Sequence, residues 1–134
     1  MFLTEPDFAM LIKSDYLESV IRSNPAPLTT AITTSIAEMQ SYLAARFDVS
    51  AIFSMMGDAR HPVLVMYCGD IALYHLHAAF APIKIPAIRV ERYRAAIDWL
   101  KMVAKGELNP GLPLTPNGNA GVNWGKSSND SYSF

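Results

Sequence analysis

One cysteine in 134 residues leaves nothing for an internal disulfide framework. A chain without cross-links must rest on a packed core, and this usage suits a reducing compartment. Charge is scarce too. Charged residues make up 17% and the net charge is −1, so the total points to neither nucleic acid nor an acidic membrane surface. There are only seven glycines, and no phosphate-cradling glycine loop, HExxH, nucleophile elbow or CxxC is present. The opening MFLTEPDFAM lacks a basic segment followed by an apolar run, so no signal peptide is expected. No internal repeat is apparent.

What is abundant is apolar sequence, at 51%. That is ample for the core of one domain. The longest run is His61 to Ala81, HPVLVMYCGDIALYHLHAAFA, long enough for about five helical turns. A helix apolar on nearly every side must be covered by other elements. Its length approaches the ~20 residues of a bilayer span. Asp70, His75 and His77 lie inside it, however, so a buried central helix is expected and no membrane partner.

The flanking segments read as its cover. Thr4-Glu5-Pro6-Asp7 is a helix start with a capping-box spacing, leading into a short helix to about Lys13. Ser14-Asp15 can cap a second short helix, Tyr16 to about Arg22. Pro25 and Pro27 then break the chain. A long helix is expected from Leu28 to Phe47, with Leu28, Ile32, Ile36, Met39, Leu43 and Phe47 on one face. Asp48 to Arg60 reads as a connection with a helical turn near Ala51–Met56. Its Phe53, Met55 and Met56 are apolar for a loop, so they plug the core or face a partner. Pro82 and Pro86 bracket an expected extended linker, Ile83-Lys84-Ile85. The last long helix runs from Ala87 to Lys105, with Val90, Tyr93, Ile97, Leu100 and Ala104 on its apolar stripe. Arg89, Glu91, Arg94, Asp98 and Lys101 occupy the expected solvated face, and Arg94 and Asp98 form an i,i+4 pair.

After Glu107 the sequence is rich in Gly, Pro, Asn and Ser. It carries sparse apolar anchors, among them Leu112, Leu114, Trp124, Tyr132 and Phe134. That pattern suits an arm that orders on another surface, or a frayed tail.

The central helix holds the residues with chemical potential. His61, Cys68 and His75 are seven apart, which is roughly 10.5 Å per step and too far for one metal ion. His75 and His77 are two apart and point away from each other. Asp70 and Tyr74 are four apart and can touch, as in a buried hydrogen bond. No catalytic residue, metal or cofactor is expected, and the chain is not expected to be an enzyme. Gly69 permits a close backbone approach. A buried Asp70 needs a cation. Arg46, Arg92 and Arg94 are the candidates, and Asp70, Arg46 and Arg92 are the expected structural polar set.

Three segments in order carry a resemblance. They are IAEMQSYLAARFD over residues 36–48, the CxDIAxYxL pattern of Cys68 to Leu76, and the RYxxAIxWLxxVAxGE pattern of Arg92 to Glu107. Together they resemble a Mu-like prophage family of small phage proteins. That family is similar in helical pattern to tailed-phage head–tail connector, or head-completion, proteins. The resemblance covers about residues 1–107. The Val49–Arg60 connection is longer and richer in Met and Phe than the family's short linker, and the tail after Glu107 lies outside the shared pattern.

The resemblance implies a non-catalytic, all-helical subunit of a ring between portal and tail. The expected architecture is an all-α bundle of three long and two or three short helices over residues 1–107, followed by an extended or flexible arm over 108–134. The expected partners are other copies of the chain, the portal protein and tail or neck proteins, with DNA passing through the lumen without sequence-specific binding. The expected location is the head–tail interface of the virion, with assembly in the host cytoplasm. Phe53, Met55, Met56, Leu112, Leu114, Trp124, Tyr132 and Phe134 are the expected partner contacts. The alternative is a small helical DNA-binding or regulatory module using Arg89 to Lys105.

Overall fold

A computed structural model describes residues 1–22, 24–80 and 82–116. Trp124, Tyr132 and Phe134 lie outside these residues. The described chain is all-α. A 3-10 turn, Glu5–Met10, leads into α1 (Ser14–Ile21) and α2 (Ala26–Leu43). The short α3 (Val49–Ser54) and a 3-10 turn, Gly57–Ala59, connect to α4 (Pro62–Phe80). A further 3-10 turn, Pro82–Lys84, precedes α5 (Ala87–Ala104). The expected extended linker is therefore a tight turn.

α4 is the centre, as its apolar composition requires. It lies against both α2 and α5, with the N-terminal turn and α1 also packed on it. Leu64, Cys68, Ile71, Ala72, Leu73 and Leu76 are buried in it. Its length and apolarity would also allow a membrane crossing, but Asp70 within it is buried against its own neighbours. Gly69 makes room for a side chain and not for the expected backbone: a Cβ there would collide with Leu11 Cδ1.

α2 stops at Leu43, four residues before the expected end. Phe47 is still buried, but its backbone pairs antiparallel with Leu114. Asp48 N donates to Pro113 O at 2.9 Å, and Thr115 N donates to Arg46 O at 3.2 Å. Asp48 then caps α3, its Oδ1 accepting from Ala51 N at 3.1 Å. These bonds replace the helical continuation of α2. They also fasten the start of the arm to the body, with Leu112 in the core.

At the other end, Asp7 is a junction. Thr4 N and Thr4 Oγ1 donate to its Oδ2 at 2.8 and 3.0 Å. Arg60 grips both oxygens, at 2.7 and 3.0 Å, and also donates to Phe2 O at 2.7 Å. The hydrogen bond from Arg60 holds the Asp7 carboxyl down at about 2, below its ordinary 3.8. The folded value is the lower one, so the pair stabilises the fold above pH 4 and is lost as pH falls towards 2. The gap corresponds to about 2 kcal/mol. Arg60→Ala is expected to remove this pH-dependent component. Urea midpoints at pH 5 and pH 2.5 should differ more for the wild type than for the variant; equal differences would refute the coupling.

Candidate interaction surface

Of the arginines weighed for Asp70, Arg92 is the partner. Its Nε donates to Oδ1 at 2.8 Å and its Nη2 to Oδ2 at 2.9 Å. The Asp70 side chain is 0% exposed and that of Arg92 36%. This bidentate pair clamps α4 to α5. Arg46 serves elsewhere: its Nη1 donates to Val103 O at 2.7 Å, near the C-terminus of α5. Arg94 is exposed, and no Arg94–Asp98 ion pair forms among the described residues.

Tyr74 does not meet Asp70. It stacks on Tyr93 of α5, with ring centroids 4.2 Å apart. Tyr93 O–H donates to Glu38 Oε2 at 2.7 Å, and His75 Nε2 meets Glu38 Oε1 at 2.8 Å. One carboxylate thus ties α2 to α4 and α5. Burial, with Glu38 beside it, pushes the Tyr93 phenol well above its ordinary value. Both Glu38 oxygens are engaged, and the cluster joins three helices. Neither Glu38 nor Tyr93 stood out in the sequence as part of a site, because the pairing joins residues 55 positions apart.

His61 accepts from Val63 N through Nδ1 at 3.2 Å, which places its proton on Nε2, facing Pro110 O at 3.0 Å. It therefore pins the arm. Cys68 lies 3.3 Å from Ser35 Oγ, and burial pushes its thiol up to about 11. A thiol so placed is a poor nucleophile. Among the described residues no group of His, Cys, Asp and Glu is gathered to hold a metal.

The sequence-predicted contact residues separate. Phe53 is half-buried and meets Phe2 edge-on at 4.8 Å. Met55 is half-buried, while Met56 is 65% exposed. Leu112 is buried in this chain's own core and Leu114 is half exposed. A second apolar surface lies where no contact was expected, around the N-terminal turn, α1 and the start of α5. Two grooves there share Leu11 and Ile88. One, of about 640 Å³, is bordered by Met10, Val65 and Met66. The other, of about 380 Å³, is bordered by Ile12, Tyr16, Val20 and His77. Met10, Tyr16 and Ile88 are exposed apolar residues on their rims.

Arg89 forms part of the second groove and is only 6% exposed. The sequence placed it on a solvated face. It lies instead in register with Ala96, Leu100 and Val103, the buried line of α5, at spacings of seven, four and three. That register is the signal that could have found it. Its Nη2 donates to Leu11 O at 3.1 Å, and Nη1 has no partner among the described residues. Burial draws its pKa below the ordinary value.

The bacteriophage Mu Gp36 family model matches residues 2–123. The match runs past Glu107, so part of the tail shares the family pattern, contrary to the limit expected from the three motifs. No curated protein and no solved structure matches the chain. With all but its outermost residues matched, the chain belongs to the bacteriophage Mu Gp36 family.

Proposed function

We propose that this phage protein is a structural subunit of a head–tail connector, assembling as a ring between portal and tail and letting DNA pass through its lumen. The observation that carries this reading is the exposed apolar surface around Met10, Tyr16 and Ile88 on a domain whose core is already complete. Apolar grooves rimmed by such residues mark protein contact. A net charge of −1 suits a channel that must not hold DNA tightly. In this reading the protein is non-catalytic, needs no cofactor, and acts in the virion after assembly in the host cytoplasm.

The DNA-binding alternative loses two of its cations to the fold. Arg92 is committed to Asp70 and Arg89 is buried. Light scattering and negative-stain microscopy of the protein with its portal test the connector reading. Rings or portal complexes are expected. A persistent monomer that ignores the portal would defeat it, and salt-sensitive DNA affinity would favour the alternative.

A further inference from the structure

The groove beside Arg89 carries an unbalanced positive charge. Asp70 is the carboxylate nearest in effect to Arg89, but both its oxygens are held by Arg92. Two guanidiniums thus share one carboxylate. The groove also includes Lys13 and His77 and the hydroxyl residues Tyr16 and Ser19, while no Asp or Glu borders it. His77 donates to Leu73 O through Nδ1 and offers no anion. The remaining wall is apolar, formed by Leu11, Ile12, Val20 and Ile88. A guanidinium buried in the wall of an apolar groove, with an Nη1 that has no partner among the described residues, calls for a carboxylate carried on or beside an apolar side chain.

The chain itself displays such a segment. Met56 is 65% exposed, and Asp58, two residues on, is exposed; its charge acts on Arg60, which Asp7 holds, but its carboxylate accepts no hydrogen bond among the described residues. Both sit in the turn before α4, whereas the groove takes His77 from the far end of that helix. Asp70, beside Arg89, lies eight residues or roughly 12 Å along α4 from the turn, and His77 lies about 22 Å along it. The turn cannot reach the groove of its own chain, but it can reach that of another copy.

We propose that the Arg89 groove receives the Met56–Asp58 turn of a second copy of this chain, Asp58 pairing with Arg89 and Met56 lying on the apolar wall. This rests on the ring reading above and names its joint. Plug and socket are different surfaces of the chain, so the contact can repeat head to tail, as a ring requires. Methionine is suited to such a plug because its unbranched side chain adapts to an irregular wall.

The test uses three full-length proteins: wild type, a plug variant (Met56→Ser with Asp58→Asn) and a socket variant (Arg89→Met). Sedimentation velocity is read across concentration, with thermal melts as the folding control. Each variant alone is expected to weaken self-association about tenfold or more, the loss of a charged hydrogen bond. Mixed together, they retain one intact joint per pair and should form dimers that grow no further. Variants that assemble like wild type, or a mixture that stays monomeric, overturn the proposal. Loss of assembly on Glu107→Gln with Leu108→Ser, and not in the plug variant, would overturn it in favour of the arm's base. If Arg89→Met melts early, the plug variant carries the test, since both its sites are exposed. A wild type that stays monomeric beside its portal defeats the ring reading and the joint with it. Wild-type rings with an unaffected plug variant defeat the joint alone.

Discussion

Asp70→Ala is expected to destabilise the protein by about 3–5 kcal/mol, the cost of breaking a buried ion pair on one side. The carboxylate is fully buried between α4 and α5, and both oxygens are engaged by Arg92. Once it is gone, Arg92 can turn its head into water, since a third of its side chain is already exposed. Arg89 cannot, being 6% exposed, and it loses the nearby negative charge. Asp70→Leu should cost less than Asp70→Ala, because it fills the volume with apolar atoms. Arg92→Ala should cost at least as much as Asp70→Ala, because it strands a fully buried carboxylate that cannot turn into water and to which Arg89 makes no hydrogen bond. The double variant Asp70→Ala/Arg92→Ala completes a cycle in which the coupling between the two appears directly. Urea unfolding at pH 7 measures all four. Asp70→Ala and Arg92→Ala both within about 0.5 kcal/mol of wild type, the range of an ordinary surface change, would show that the pair does not clamp the helices.

Ending the chain at Glu107 is expected to destabilise the helical body, whereas ending it at Pro116 is not. Residues 108–116 are part of the body's packing. Leu112 is 8% exposed, and the arm's backbone bonds to Arg46, Asp48 and His61. The chain ending at Glu107 leaves Phe47 without its antiparallel partner. Leu112→Ala alone should cost about 2 kcal/mol, at the low end for a buried leucine because the site lies at the edge of the core. Truncation at Glu107 should cost at least as much. The chain ending at Pro116 keeps every contact described and should melt within a degree or two of the full chain. If both truncations melt like the full chain, the strand pairing at Phe47 contributes nothing to the fold. If the loss appears only at low protein concentration, the arm packs on a neighbouring copy instead.

The broad architecture was legible because its signals are local. Apolar spacing marked α2, α4 and α5, and the proline pairs marked their separations. The spacing from Thr4 to Asp7 foretold the bonded N-terminal turn. Gly69 read as a close backbone approach, but what comes close is the Leu11 side chain. What failed were statements that required one end of the chain to know another. Phe47 has the right spacing to continue α2, and it is buried as that spacing implies. It leaves the helix because Leu114, 67 positions later, pairs with its backbone. Arg46 and Arg92 were equal candidates for Asp70 by charge alone, and only helix placement sent Arg46 to Val103 O.

The sequence by itself determined an all-α fold around one apolar helix, with a buried acid in that helix that must meet an arginine. Periodicity and the cost of burying a charge are enough for both. The tertiary structure alone decided which arginine that is and that the base of the arm belongs to the body. It also decided that Arg89 turns inward beside an open groove. Each of these depends on side chains brought together from distant positions, where a residue's type leaves several partners equally good.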